Sequence, residues 1–430
     1  MQTSDVRNVL SYRFIIFAIL AVAYLLVYFH RLSLSVVADA LVKEFQTSAS
    51  VMGLLGSVYF YCYAVMQLPA GLLSDSIGPR KSVTVFLLIA SAGSILFGLS
   101  PSIHVAFAGR ILVGFGVSMA FIPTIKILSQ WFRPNEFAFM AGILQAVGGA
   151  GVLAATWLLA IMTVRFGWRL SFELIGIVTL IVVVLNWLIV RDKPQDKGWP
   201  SILDIDNREK SGSYVVQEIP LWEGVKRVVS EPYFWPVAIW FFFDCGIFFG
   251  FGALWSGPYL IHTYDISREE AGRILSMLAW GMIIGGPLVG ILSDRLLKSR
   301  KTPFIICTMI LVNIILMMYM FPGGFSTPAL YALFFAFSVC SSAIVVMAFT
   351  TTKEMFPVEI AGTSVGMVNL FPFLGGAVFM PLLGRILDAY PKTAAGGYAP
   401  EGYSAMLFVL FLSALAAFIA TLFMKETFKG

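Results

Sequence analysis

Gly71-Leu-Leu-Ser-Asp75-Ser-Ile-Gly78-Pro-Arg80-Lys81 stands between two long apolar runs. It reads G-x-x-x-D-x-x-G-x-R-K, the pattern of a tight turn at a membrane surface. Gly71 lets two helices approach closely, and Gly78 supplies a turn with permissive φ. Asp75 suits the positive N-terminal end of a neighbouring helix. Arg80 and Lys81 hold the loop on the cytoplasmic side. A partial copy follows in the second half: Gly290-Ile-Leu-Ser-Asp294-Arg295, then Arg300-Lys301. Two such loops, about 220 residues apart, point to an internal repeat.

Composition agrees with a chain whose solvent is lipid. Of its 430 residues 59% are hydrophobic and 12% charged, against roughly 25% charged in soluble domains. A mean hydropathy of +0.86 leaves no room for a sizeable soluble domain. The net charge of +5 belongs to cytoplasmic loops and implies no nucleic-acid partner. Cys62, Cys245, Cys307 and Cys340 all fall inside apolar runs without metal spacing, and read as small buried hydrophobes. The N-terminal apolar run continues long enough to span, so it is not a cleaved signal peptide.

A crossing needs about 20 apolar residues. Twelve spans are expected, near 14–37, 50–72, 82–100, 104–128, 138–161, 169–190, 234–260, 270–291, 303–321, 327–350, 360–387 and 404–424. The division is an N-terminal six-helix bundle over 1–190, a cytoplasmic linker over 191–233 and a C-terminal six-helix bundle over 234–430. Within the linker, Trp222 to Val229 reads as a short amphipathic surface helix. The termini and the loops on their side carry twelve Lys and Arg against seven on the other, before the linker adds seven more. Both termini are therefore expected in the cytoplasm. Trp131-Phe-Arg-Pro134-Asn-Glu136 before span 5 is echoed by Met355-Phe-Pro357-Val-Glu359 before span 11. These echoes support two parallel six-helix repeats in an all-α membrane protein.

Ionisable groups inside a membrane cost several kcal/mol, about 2.5–3.5 on insertion scales, and usually face a cavity. Tyr24, Tyr28, Arg31 and Ser35 share one face of span 1. Arg31 either faces a cavity, where it would hold a carboxylate or phosphate bidentately, or snorkels to the outer surface. Two tyrosines on its face favour the cavity. Tyr59, Tyr63 and Gln67 form a second stripe on span 2, as site-lining hydroxyls or as helix packing. Asp244 falls near the middle of span 7, as a proton-coupling group or in a structural hydrogen bond. Lys126 either snorkels or adds a second positive charge, for an anion or for Asp244. His30 is titratable near neutrality in its reference state and is a second proton-coupling candidate, or a packing residue.

The loop at 71–81 resembles that between helices 2 and 3 of the major facilitator superfamily. Tyr28-Phe-His30-Arg31-Leu-Ser-Leu-Ser, with Gly53 and Tyr63-Ala-Val-Met-Gln67-Leu-Pro-Ala-Gly71, resembles the superfamily's anion:cation symporters, which carry sugar acids and other organic anions. The resemblance implies substrate contact for Tyr28, Arg31 and Tyr63, and by looser alignment for Gln145 and Asn369. His30 stands where that branch has an aspartate. Arg110-Ile-Leu-Val-Gly114-Phe-Gly116 resembles the superfamily's R-x-x-x-G-x-G, with Val117 in place of an acidic residue often found there. Arg110 is thus expected to tune coupling, and Gly71, Asp75, Gly78, Arg80 and Asp294 to gate conformational change. Arg191-Asp-Lys-Pro-Gln-Asp-Lys-Gly-Trp-Pro is similar to the organophosphate exchangers. The segment from Lys126 to Ala138 is similar to amino-acid and nucleoside transporters of intracellular bacteria.

The chain lacks a Walker loop, H-E-x-x-H, a nucleophile elbow or paired catalytic carboxylates, so neither an enzyme nor a cofactor is expected. The expected function is secondary active transport of a small organic anion by alternating access, proton-coupled or by exchange, in a bacterial inner membrane. Its partners would be a small-molecule substrate, protons or a counter-substrate, and the lipid bilayer, with the protein a monomer. The alternatives are a proton-driven exporter of amphiphilic compounds, suggested by 15% aromatic residues, or an amino-acid or nucleoside transporter. A sensor on a transporter fold is a further reading.

Overall fold

A computed structural model describes residues 3–205, 221–393 and 396–428. The described chain is helical almost throughout. In order it forms α1 (Thr3–Leu32), α2 (Ala38–Glu44), α3 (Ala49–Ser76), α4 (Pro79–Gly98), α5 (Ile103–Ser118), α6 (Phe121–Trp131), α7 (Pro134–Leu153), α8 (Leu159–Ile189), α9 (Ile202–Ile205) and α10 (Leu221–Ser230). The second half adds α11 (Phe234–Ile247), α12 (Ser256–Tyr264), α13 (Arg268–Ile291), α14 (Lys301–Met320), α15 (Thr327–Ser338), α16 (Val345–Met355), α17 (Val358–Val368), α18 (Leu370–Asp388) and α19 (Pro400–Leu422). In lipid every backbone polar group must be satisfied within the segment, which is why so apolar a chain becomes helix.

Eleven helical stretches among the described residues are long and apolar enough to cross a membrane. One of them, Phe139–Ile189, runs for 51 residues. At 1.5 Å per residue that is about 75 Å, more than twice a hydrocarbon core of about 30 Å. It is broken at Gly167, where φ is 77° and ψ 162°. The stretch is therefore two crossings, and the total is the twelve expected. Several crossings contain π-helical turns, at Ala154–Leu158, Phe248–Trp255 and Val339–Ala343, and one ends in such a turn, Leu292–Leu297. Such turns leave local backbone irregularity where side chains are re-aimed.

Packing groups the chain into two compact units. The first comprises Met1–His30, Val65–Gly151 and Arg169–Val215; the second comprises Arg31–Ala64, Val152–Trp168 and Val216–Gly430. Within the first, Ser91 Oγ and Ser94 Oγ donate to the carbonyls of Gly176 and Phe172 at 2.8 and 2.9 Å, clamping α4 to α8. Interhelical hydroxyl bonds of this kind are worth about 1 kcal/mol in lipid. Within the second, the amphipathic helix expected over 222–229 is α10. It buries Gly224 and Val228, exposes Trp222, and lies against Ile360 and Thr363.

The second unit gathers the ends of α1, α3, α7 and α8 remote from the N-terminus onto second-half helices. After α1 a 3-10 turn, Ser33–Val36, presses on α12. A Cβ built on Gly257 would lie 1.8 Å from the Ser35 carbonyl oxygen, so only glycine fits. Asp388, at the end of α18, caps α3. It accepts from Ala49 N at 2.8 Å, Ser50 N at 2.7 Å and Ser50 Oγ at 2.5 Å.

Candidate substrate site

The sharpest feature lies in the second unit. Arg31 closes the last turn of α1, only 7% exposed. Its guanidinium carbon lies 5.1 Å from the ring centre of Tyr63, 5.4 Å from Phe373 and 5.8 Å from Phe249. These rings come from α3, α18 and the π-helical turn after α11. The Tyr63 and Phe373 rings stack at 4.3 Å and 25°, and Phe60 joins them to Phe249 at 4.8 Å. The position of Arg31 is thus an enclosed, ring-lined one rather than a lipid-facing one. A guanidinium is weakly hydrated and tolerates aromatic faces, so this is a burial an arginine accepts and a lysine does not. The helical spacing in α1 brought Arg31 forward as a candidate. Its partnership with Phe373 was not legible, because α18 lies far along the chain.

Asp244 is fully buried in α11. Its Oδ2 accepts from Ser341 Oγ at 2.9 Å, and among the described residues its Oδ1 has no hydrogen-bond partner. Ser341 belongs to the π-helical turn Val339–Ala343. Asn369 sits at the junction of α17 and α18 with helical φ and ψ. Beyond these, a further cluster escaped the sequence reading. His262, near the end of α12, meets Asp39 of α2 at 3.1 Å through Nε2 and the Tyr403 hydroxyl at 2.9 Å through Nδ1. Lys43 pairs with Asp39 at 3.1 Å. Burial pushes the Asp39 carboxyl up, but the bonds from His262 and Lys43 outweigh it and hold it below its ordinary value.

The first unit holds the other candidates. Tyr24 donates to Gln145 Oε1 at 2.5 Å, and its ring meets Tyr28 edge-on at 5.3 Å. Gly148 of α7 lies directly on both tyrosines. Gln145, Tyr24 and Tyr28 are therefore brought together. His30 is fully buried, and its carbonyl accepts from Arg110 Nη1 at 3.1 Å. Arg110 thereby satisfies a carbonyl in the last turn of α1, where a cation suits the helix end. Lys126 donates a long 3.5 Å bond to the Ser74 carbonyl at the end of α3.

The gating candidates occupy the two loops. Gly78 turns at φ 91°, and Arg80 N donates to Asp192 Oδ1 at 2.6 Å. The Arg80 guanidinium covers the Trp187 ring at 4.5 Å and donates to the Trp187 carbonyl. Gly71 and Asp75 lie in α3, and their side-chain environments fall outside the described residues. In the second copy Asp294 pairs with Arg300, which also binds Glu354 at 3.0 Å. Neither Asp192 nor Glu354 was singled out from the sequence. The four cysteines are all buried. No group of metal-ligating side chains occurs among the described residues.

Comparison with known proteins follows the same lines. The family model of the Major Facilitator Superfamily matches residues 20–380 and 246–429. The chain is 24% identical over 451 residues to GarP of Escherichia coli K12, a probable galactarate/D-glucarate transporter, covering 97% of this chain and 95% of that one. It is 25% identical over 428 residues to the membrane sensor protein UhpC of Salmonella typhimurium, covering 91% and 90%. It is also 25% identical over 379 residues to the glycerol-3-phosphate transporter of Bacillus subtilis, covering 85% and 84%. A crystal structure of a bacterial homolog to the human lysosomal transporter Spinster superposes with a TM-score of 0.76 at 19% identity, over 96% of this chain and 98% of that one. Twelve apolar crossings, the duplicated loop and a family match over most of the chain make this integral membrane protein a member of the Major Facilitator Superfamily.

Proposed function

We propose that the protein is a secondary active transporter that moves a small organic anion across a bacterial inner membrane by alternating access. The observation that carries this reading is Arg31, enclosed among rings and drawn from the end of a membrane helix. A guanidinium presents paired N–H donors in a fixed fork, and an anionic cargo accepts from such a fork bidentately. The names of relatives such as GarP and the glycerol-3-phosphate transporter support the sign of the charge. In this reading residues 1–190 and 234–430 are the two moving bundles, joined by the linker 191–233, and both termini are cytoplasmic. The end sealed by Ser33–Val36, Gly257 and Asp388 is then the outer one.

Arg31, Tyr28 and Tyr63 are the substrate contacts, with Gln145, Asn369 and Lys126 in supporting roles. Asp244 is assigned to proton coupling, its carboxyl held by Ser341 alone among described partners; His30 is the second candidate. Coupling to protons and exchange against a second solute are separated by one flux experiment. In proteoliposomes, proton-coupled uptake responds to an imposed pH gradient, and Asp244→Asn flattens that response. Exchange instead requires internal substrate. Arg31→Lys is expected to lower uptake at least about tenfold, since a lysine cannot present the paired donors. Full transport by Arg31→Lys would end the anion-site assignment. Sensing is a second reading, favoured by the likeness to UhpC. Tight binding with no flux in the same vesicles would select it.

A further inference from the structure

A groove of about 270 Å³ is lined by Leu153 at the end of α7, Trp157 of the following π-helical turn, Arg273, Ser276 and Trp280 of α13, and Tyr331 of α15. It begins where two crossings touch. A Cβ built on Gly272 would lie 2.5 Å from Ala160 Cβ and 3.0 Å from the Thr156 carbonyl oxygen, so glycine lays α13 on the start of α8 and the turn before it. Trp157 and Trp280 are 43% and 41% exposed, so the groove opens outward from the helices. Both lie in membrane-crossing stretches, where outward means lipid.

Along α13 the lining changes character. Arg273 binds Glu269 at 2.7 Å and Glu270 at 3.5 Å, and the Tyr331 hydroxyl donates to Glu270 at 3.1 Å. Arg268, their neighbour in sequence, faces Asp39 instead, 4.0 Å away. Trp280 follows Arg273 by about 10 Å along the helix axis. A charged rim at the start of a crossing thus gives way to indole rings, the order in which a phospholipid presents its headgroup, esters and chains. The rim also carries a sign, since two carboxylates stand beside one guanidinium. An anionic headgroup meets net repulsion there, whereas a headgroup with both an ammonium and a phosphate finds a partner for each. A carboxylate offers about four lone-pair sites, so Glu269 and Glu270 can accept further bonds beside those from Arg273 and Tyr331. A primary ammonium has three N–H donors to give them, and a quaternary one has none.

We infer that this groove is a binding site for a zwitterionic phospholipid with a primary-ammonium headgroup. The ammonium lies on Glu269 and Glu270, the phosphate on Arg273, and a chain runs along Trp157 and Trp280. The site concerns the membrane around the helices and stands whatever the cargo is.

The test titrates purified full-length protein in detergent with phosphatidylethanolamine, phosphatidylcholine or phosphatidylglycerol, each with brominated acyl chains. Bromine quenches indole fluorescence on contact, so the titration reads both affinity and place. Phosphatidylethanolamine is expected to bind at least about fivefold more tightly than the other two, within the range of one charge-assisted hydrogen bond. Trp157→Phe combined with Trp280→Phe keeps rings in the groove but removes its reporters, and should abolish the saturable part of the quenching. Glu269→Gln combined with Glu270→Gln should erase the margin of phosphatidylethanolamine over phosphatidylcholine. Phosphatidylglycerol binding as tightly as phosphatidylethanolamine would overturn the zwitterionic ligand. Equal binding of phosphatidylethanolamine and phosphatidylcholine would overturn it too, since the ammonium would then donate to nothing. Saturable quenching that survives the loss of both indoles would put the lipid elsewhere, and quenching that never saturates would mean a fluid lipid coat only; either ends the inference. If the glutamine variant fails to fold, the wild-type ranking and the indole variant still decide.

Discussion

In the first copy of the duplicated loop, Gly78 turns the chain at φ 91° and Arg80 opens α4. In the second, Lys298 turns it at φ 45° and Arg300 precedes α14. Both third helices are closed at their N-termini by an acid that lies shortly after the last helix of the same half. Asp192, beyond α8, accepts from Arg80 N at 2.6 Å. Glu426, beyond α19, accepts from Arg300 N at 2.8 Å and Lys301 N at 3.2 Å. The guanidinium groups differ. Arg80 spends its charge on the Trp187 carbonyl and ring. Arg300 sits between Asp294 and Glu354, with the Phe428 ring 5.1 Å away. One device, a carboxylate closing a helix N-terminus, is thus kept in both halves. The arginine beside it is a ring-covered cation in one half and the centre of an acidic cluster in the other.

That contrast can be broken by substitution. Arg300→Ala should have the largest effect, about 2 kcal/mol, because it removes the ion pair of the part-buried Glu354 carboxylate, the exposed Asp294 adding little. Arg80→Ala should cost about 1 kcal/mol, since the Asp192 bond is made by backbone and survives. Thermal melts of the two variants in one detergent compare them directly, and equal losses would refute the difference in chemistry. Gly78→Ala comes next. It forces a side chain to φ 91° and brings its Cβ to 3.0 Å from Asp192 Oδ2. A loss of about 1 kcal/mol, no larger than that of Arg80→Ala, is expected.

Glu426→Gln should cost about 1 kcal/mol and change the acid limb of stability. Burial pushes the Glu426 carboxyl up, but bonds from Ser299 and the backbone of Arg300, Phe428 and Lys301 hold it below its usual 4.5. Its folded value is depressed, so its contribution is full above pH 4.5 and disappears as pH falls through the folded value. The variant should therefore converge on wild type below that window in a melt series against pH, and a constant gap would exclude the carboxylate as the cause. Smallest is Lys298→Gly, which relieves a left-handed lysine but loosens the unfolded chain. A gain of no more than about 0.5 kcal/mol is expected, and a clear loss in the same melts would show that the lysine side chain matters there.

The loops show where sequence reading reaches and where it stops. Gly78, Arg80, Asp294 and Arg300 are found by their spacing in a repeated pattern. Twelve crossings follow from apolar length, and even the break at Gly167 fell between two expected spans. Asp192 and Glu426 were not identified, because they lie 112 and 126 residues from the backbone groups they cap. An acid in a polar linker looks like solvated surface until the chain folds back on it. The same holds at Arg31. The helical face of α1 marks the arginine, but nothing local marks Phe373 among thirty-eight phenylalanines. The cluster of His262, Asp39 and Tyr403 is of this kind too. It joins three elements distant in the chain, none carrying a recognisable pattern.

The contact of Gly257 with the Ser35 carbonyl has a meaning for the living cell. In the transport reading proposed above this contact belongs to the outer seal, and a seal that must hold back protons tolerates no gap the width of a water molecule. Here backbone meets backbone with no side chain between. Alanine at 257 would prise that contact apart by more than an ångström. On the proposed transport reading, Gly257→Ala is therefore expected to let protons leak as well as to slow the movement of cargo.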